Sequence, residues 1–263
     1  MTTIVRPVGQ LLKDWRLRRR QSQLDLALEA EISTRHLSFI ETGRALPSRD
    51  MVLRLAAQLD VPLRERNQLL HAAGYAALYP QHALDDPALA AALRTIRLIL
   101  KGHEPYPALA VDRHWRLIEA NDALRLLLEG VADHLLKPPV NVLRLSLHPE
   151  GLASRIMNLG QWRGHILERL RQQILSSADA ELIALMQELA TLAQSDQPAV
   201  DHEPAGIAVP LRLASREGPL NFISTTTIFG TPVDVTLSEI AIESFFPADD
   251  ATVTTLNRIA DRK

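Results

Sequence analysis

Residues 22–47, SQLDLALEAEISTRHLSFIETGRALP, decide how the N-terminal third of this chain folds. Ser22 is placed to cap a helix from Gln23 to Ala30, in which Leu24, Ala27 and Leu28 form the expected buried stripe. Ile32 fills a tight turn. Ser33 then caps a third helix from Thr34 to about Thr42, with Leu37 and Ile40 inward. Gly43 stops it, because glycine takes the left-handed conformation at a helix end without steric cost.

Working outward, Val8, Leu11, Leu12 and Trp15 recur at helical spacing and mark an earlier helix. Arg16, Arg18, Arg19 and Arg20 follow at its C-terminal end, where cations suit the helix dipole. Pro47 and Ser48 open a fourth helix with Met51, Val52, Leu55 and Leu59 inward. Pro62 opens a fifth that ends near Gly74. The result is an all-α five-helix domain with helix-turn-helix order, which resembles the lambda-repressor-like fold, assigned to residues 1–76. Thr34, Arg35, His36 and Ser38, with Thr42 at the end, are the outward positions of its third helix. Such side chains read base edges in the major groove of double-stranded DNA. Gln23, at the start of the second helix, is placed to meet a phosphate, and Arg18, Arg19, Arg20 and Arg44 are further phosphate candidates. Against this stands a plainer reading, in which an arginine run is only a solvated face.

Charge is distributed in keeping with a nucleic-acid partner for the first part alone. Residues 1–80 carry 12 Lys and Arg against 8 Asp and Glu, a balance of +4, and residues 81–263 carry 17 against 23, a balance of −6. Hydrophobic residues at 46% and charged residues at 23% are an ordinary globular balance. No apolar run reaches the roughly 18 residues of a membrane span, and MTTIVRPVGQ lacks the apolar core of a signal peptide, so a cytoplasmic location without a membrane partner is expected. Cysteine is absent, which excludes disulfides, thiol catalysis and thiolate zinc sites.

YAALYPQHALDDPAL (75–89) is polar and proline-bearing, and residues 77–94 are assigned to a linker and the start of a connecting helix capped by Asp86. ALAVDRHWRLIEAN (108–121) alternates as two short strands. Helical patterns follow up to Ala193. Three β-rich stretches come last, GIAVPLRLAS, PLNFISTTTIFGT and VDVTLSEIAIESFFPAD, with REGP and TPVD as turns. Two strands, helices, then three strands give an α+β domain over residues 95–250 with a five-stranded antiparallel sheet in a PAS-like arrangement. Its helices are expected on one face, and residues 251–263 are assigned to a C-terminal tail.

SQxxLAxxAxxS (Ser22 to Ser33), SxxExG (Ser38, Glu41, Gly43) and Pro47 resemble the Xre-type helix-turn-helix transcriptional regulators. HEPYPALAVDRHW, NVLRLSLHPEGLASRIMNL and STTTIFGTPVDVTLSEIAIESFFPAD resemble the ligand-binding domain of MmyB-like transcription regulators. The resemblance implies a DNA-binding regulator in which Thr34, Arg35 and Ser38 are the foremost base readers. It also implies that Glu41 is structural and pairs with Arg16, the alternative being a plain surface carboxylate. It further implies a PAS-like pocket for a small apolar effector such as a fatty acid; a homodimer on a two-fold-related DNA site is expected, and no cofactor is required.

A fatty acid needs an apolar tube with one donor-rich end. Tyr106, Trp115, Trp162, Phe222, Phe229 and Phe245 are candidate walls, each of which is otherwise an ordinary core residue. Arg144, His148, Asn158 and Arg163 are candidates for the polar end. Arg144 sits among leucines and requires a partner, either a ligand carboxylate or an acid such as Glu150 or Asp249. The competing function is a constitutive DNA-binding protein whose second domain is only a dimerisation or protein-interaction platform. An enzyme is not expected: no HExxH, GxSxG, Walker or GxGxxG pattern occurs, and the histidines, His202 included, show no metal-ligand spacing.

Overall fold

A computed structural model describes residues 6–192 and 208–261; His202, Ala193, Gly206 and Ile207 lie outside the described residues. The chain divides into two compact units. The first takes residues through His82 together with Leu175–Ala178 and Val233–Val235, and the second takes the rest.

The first unit holds α1 (Val8–Arg18), α2 (Gln23–Glu29), α3 (Thr34–Glu41), α4 (Arg49–Gln58) and α5 (Leu63–Ala72). Three serines begin three of these helices by the same chemistry. Ser22 Oγ accepts from the Asp25 amide, Ser33 Oγ from His36 and Ser48 Oγ from Met51. Asp25 returns the bond by accepting from the Ser22 amide, which completes a capping box. The core gathers Val8, Leu12, Trp15, Leu26, Ala27, Leu37, Ile40 and Leu55. The expected stripe on α2 is corrected: Leu24 is 65% and Leu28 76% exposed, and Leu26, Ala27 and Ala30 are buried instead. The start of the expected linker is also not loose. Asn67 on α5 donates to the Tyr79 carbonyl and accepts from the Leu78 and Tyr79 amides, so residues 78–79 are held against the helix.

The second unit begins at a 3₁₀ turn capped by Asp86, followed by α6 (Ala90–Gly102). β1 (Ala108–Val111), β2 (Leu117–Ala120), α7 (Leu124–Leu127), α8 (Val142–Leu147), α9 (Leu159–Ser177) and α10 (Ala180–Thr191) follow. β3 (Leu211–Ser215), β4 (Gly218–Ile228), α11 (Val235–Ser238), β5 (Ala241–Pro247) and α12 (Asp250–Ala260) complete it. The five strands form one antiparallel sheet in the order β2-β1-β5-β4-β3. β1 lies between β2 and β5 and is buried along its whole length, so its alternation sorts side chains between two cores. Leu109 and Val111 join the large core with Leu170, Leu213 and Phe222. Ala108 and Ala110 join a second core with Ile96 and Leu100 of α6 and Ile242 of β5. Helices therefore cover both faces of this part of the sheet, not one as expected.

The expected C-terminal tail is likewise corrected. Residues 250–260 form α12, capped by Asp249, whose carboxylate accepts from the Thr252 amide at 2.7 Å. Leu256 of this helix belongs to the large core, and Thr252 is fully buried while its hydroxyl accepts from the Asn221 amide of β4. Apolar residues at Val253 and Leu256 between Thr and Asn had too weak a period to separate a docked helix from a polar end.

Candidate functional site

The third helix of the first unit is fixed from beneath. Leu37 and Ile40 are buried, which leaves Arg35 and His36 exposed and Thr34 and Ser38 half-buried on the outward side. Gly43 takes φ +75°, and the Arg44 and Ala45 amides both return to the Phe39 carbonyl, so the chain turns sharply off the helix. That turn brings Arg44 back beside α3. The guanidinium carbons of Arg35 and Arg44 lie 5.3 Å and 5.9 Å from the centre of the Phe39 ring, within reach of a cation–π attraction.

Behind this surface sits a buried ion pair. Arg16 of α1 donates through Nε and Nη2 to the two oxygens of Glu41, at 2.7 Å and 2.9 Å, and Glu41 is almost wholly enclosed. The hydrogen bonds from Arg16 compensate the carboxylate's desolvation, and the same contact raises the Arg16 pKa. Gln23 completes the cluster by donating to Glu41 at 2.7 Å. The expected free phosphate ligand at Gln23 is thus partly committed: its amide is held inward at the start of α2.

The arginine run splits. Arg19 donates to the carbonyls of Leu59 and Asp60, at 2.8 Å and 2.9 Å, satisfying the exposed C-terminal carbonyls of α4. Arg19, expected at a phosphate, is instead seen tying the end of α1 to the end of α4. Arg18 and Arg20 are exposed, Arg18 with its charge 5.0 Å from the Trp15 ring, and Arg44 is exposed as well.

In the second unit the expected ligand walls do not line one tube. Trp115, Trp162, Phe222 and Phe245 are buried in the large core, while Tyr106 is only half-buried at its edge. Phe229 packs on the other side of the sheet, with Ile96 and Ile240. Trp162 donates its indole N–H to Ser146, a contact internal to the core. Of the polar candidates, Asn158 bridges the Pro210 carbonyl and the Arg212 amide, which ties the start of α9 to β3. Arg144 pairs with neither Glu150 nor Asp249 but with Glu188 of α10, in a two-bond contact of 2.5 Å and 2.7 Å. The hydrogen bonds from Arg144 hold the Glu188 carboxyl below the usual range. His148 lies beside His134 and Glu150, and Arg163 is half-buried on α9.

A cleft of about 240 Å³ opens instead beside the β1–β2 turn, and of the wall candidates only Trp115 touches it. Val111, Trp115 and Ala241 give it an apolar floor; Arg113, Arg169 and Gln173 bring donors to it, and Asp112 and Glu239 bring carboxylates. Trp115 is held at φ +65° by the Asp112 turn, and its indole N–H donates to Gln173 at 2.8 Å. Arg169 donates to both oxygens of Glu243, at 2.8 Å and 3.1 Å, and lies 4.7 Å over the Trp115 ring. Glu243 is 4% exposed. One signal was present in the sequence: a glutamate inside the apolar strand IAIESFF requires a buried partner.

The family model described as the MmyB-like transcription regulator ligand binding domain matches residues 92–259. The chain belongs to this family. A helix-turn-helix domain model matches residues 7–69, in the order expected of a DNA-binding regulator. The chain is therefore a helix-turn-helix transcription regulator with an MmyB-like ligand-binding domain. No curated protein matches it in sequence. Among solved structures it is similar to "Structure of an RNA-binding Light-Oxygen-Voltage Receptor", at 13% identity and a TM-score of 0.26. That match covers 97% of this chain and 64% of the other, so the chain spans less than two thirds of that protein's length, and likeness at this level carries no argument. No helix among the described residues is long and apolar enough to cross a membrane.

Proposed function

We propose that this regulator binds operator DNA as a homodimer in the cytoplasm, with α3 in the major groove, and that a small apolar effector bound by the MmyB-like domain sets its affinity. The observation that carries the DNA reading is the exposed Arg35 and His36 on a helix whose other side is locked by Leu37, Ile40 and the buried Arg16–Glu41 pair. A rigid rod with polar side chains outward is what groove reading requires. Thr34, Arg35 and Ser38 read bases; Arg18, Arg20 and Arg44 meet phosphate. Site selection from random DNA by the full chain tests this, and two half-sites about one helical turn apart are expected. Arg35→Ala weakens the selected site by about 1–3 kcal/mol and relaxes preference at one position. A footprint unchanged in strength and preference removes Arg35 from the readers.

For the effector, our reading is a fatty-acid-like molecule, supported by the family and by the apolar Val111, Trp115 and Ala241 among the residues that line the cleft. The effector acts only as far as it binds the DNA-competent state better than the other. A second reading is favoured by the packing of Trp115, Trp162, Phe222 and Phe245: a filled core suits a constitutive dimerisation platform. Native mass spectrometry of the purified chain separates them. A bound mass of fatty-acid size supports the sensor; a bare protein that no fatty acid stabilises supports the platform.

A further inference from the structure

On the second unit, outside the lining of the cleft, His134, His148 and Glu150 converge; His148, expected at the polar end of the ligand pocket, does not line that cleft. Ligand atoms of His134, His148 and Glu150 all lie within 4.8 Å of one another, with His134 Nε2 3.9 Å from Glu150 Oε2. The imidazoles of His134 and His148 meet edge to face, their centres 5.6 Å apart. Among the described residues, the side chains of His134 and Glu150 form no hydrogen bond. An isolated ion pair this exposed, 53% for His134 and 66% for Glu150, contributes little to stability.

The backbone beneath is firmly set. The Ala132 amide donates to the Glu150 carbonyl at 2.9 Å, which joins the two segments bearing the ligands. The Gly151 amide donates to the His148 carbonyl at 2.9 Å. A Cβ on Gly151 would lie 2.0 Å from the Leu145 carbonyl oxygen, so the turn after α8 closes against the helix as only glycine allows. The hydrogen-bonded backbone fixes the positions from which the exposed His134 and Glu150 and the half-buried His148 extend.

We propose that His134, His148 and Glu150 form a surface site for a divalent first-row transition-metal ion, with zinc as the ion whose preferences the set matches. Two imidazoles and one carboxylate suit zinc and leave the fourth position to water. Bonds of about 2.0–2.1 Å put neighbouring ligands of a tetrahedral ion about 3.3 Å apart. The ligand atoms, within 4.8 Å of one another, have to draw closer to reach that value. His148 Nδ1 now accepts from the Glu150 amide at 3.1 Å, so its neutral ring carries the proton on Nε2. Ligation through Nε2 moves that proton to Nδ1 and gives up this hydrogen bond, so the site is weaker than one built on an unengaged ring.

The full chain, stripped by chelator, is titrated with Co²⁺ and followed by its visible ligand-field bands, then with Zn²⁺ in competition. One saturable equivalent is expected, displaced by Zn²⁺ and weakened at least tenfold by His134→Ala and by Glu150→Gln. Neither variant removes a hydrogen bond, and an unchanged metal-free unfolding midpoint is the control for folding. No saturable equivalent in the wild-type chain, or an equivalent that both variants leave intact, overturns the site.

Discussion

A methyl group on Gly9 would sit 2.1 Å from the carbonyl oxygen of Ile40 and 3.0 Å from that of Glu41. The first helix thus touches the end of the recognition helix backbone to backbone, and the Arg16–Glu41 pair seals the same junction. Gly9→Ala forces the helices apart and is expected to cost about 1–3 kcal/mol, read as a lower urea midpoint. A neutral result would mean that the junction yields freely. Residue identity told much here and misled on the buried face of α2. Serine caps and the Gly43 stop are local chemistry, visible in a few neighbouring letters. Leu24, Ala27 and Leu28 fit helical spacing as well as Leu26, Ala27 and Ala30 do, because seven residues make only two turns. Which face is buried was decided by the helices that pack against it.

At the scale of elements, the C-terminal helix and the long α9 carry the sharper expectations. Asp249→Ala removes the cap of α12 and is expected to lower stability by about 1 kcal/mol in denaturant melts. Its carboxyl is held below the usual range by the Asn221 side chain and by Thr252. The cap's contribution is therefore present above the ordinary aspartate value and lost as pH falls through the folded one. His165 on α9 shifts the same way for a different reason: burial, aided by Arg169, pushes its pKa down from 6.5. A histidine kept neutral in the fold stabilises fully above the unfolded value. That contribution falls away as acid protonates the unfolded chain first. The thermal midpoint of the wild type should thus drop more steeply below about pH 6.5 than that of His165→Gln. Parallel profiles would show that His165 does not titrate differently on folding. The order of strands and helices was legible because period-2 and helical patterns are local. The cover of α6 on the second sheet face was not, since Ala108 and Ala110 gave no sign of what lay across from them.

For the whole molecule, the basic N-terminal part on an acidic remainder sets how binding to DNA responds to salt. Each phosphate neutralised contributes about 0.9 to the slope of log K against log salt. Arg20→Ala should flatten that slope, because its side chain is exposed. Arg19→Ala should leave the slope nearly unchanged and lower stability instead, since its Nε and Nη2 are engaged by the Leu59 and Asp60 carbonyls. A flattened slope for Arg19→Ala would return it to the phosphate contacts. The amino-acid order alone determined the helix-turn-helix, the α+β class of the second domain and the outward polar side of the third helix, for each depends on neighbours within a few residues. The pairing of Arg16 with Glu41 was already implied by the resemblance, whereas folding alone decided the partners of Arg144 and Arg169: Glu188 across 44 residues and the buried Glu243 across 74. A buried ion announces that it needs a counter-charge, but only the packed chain selects which one comes within bonding distance.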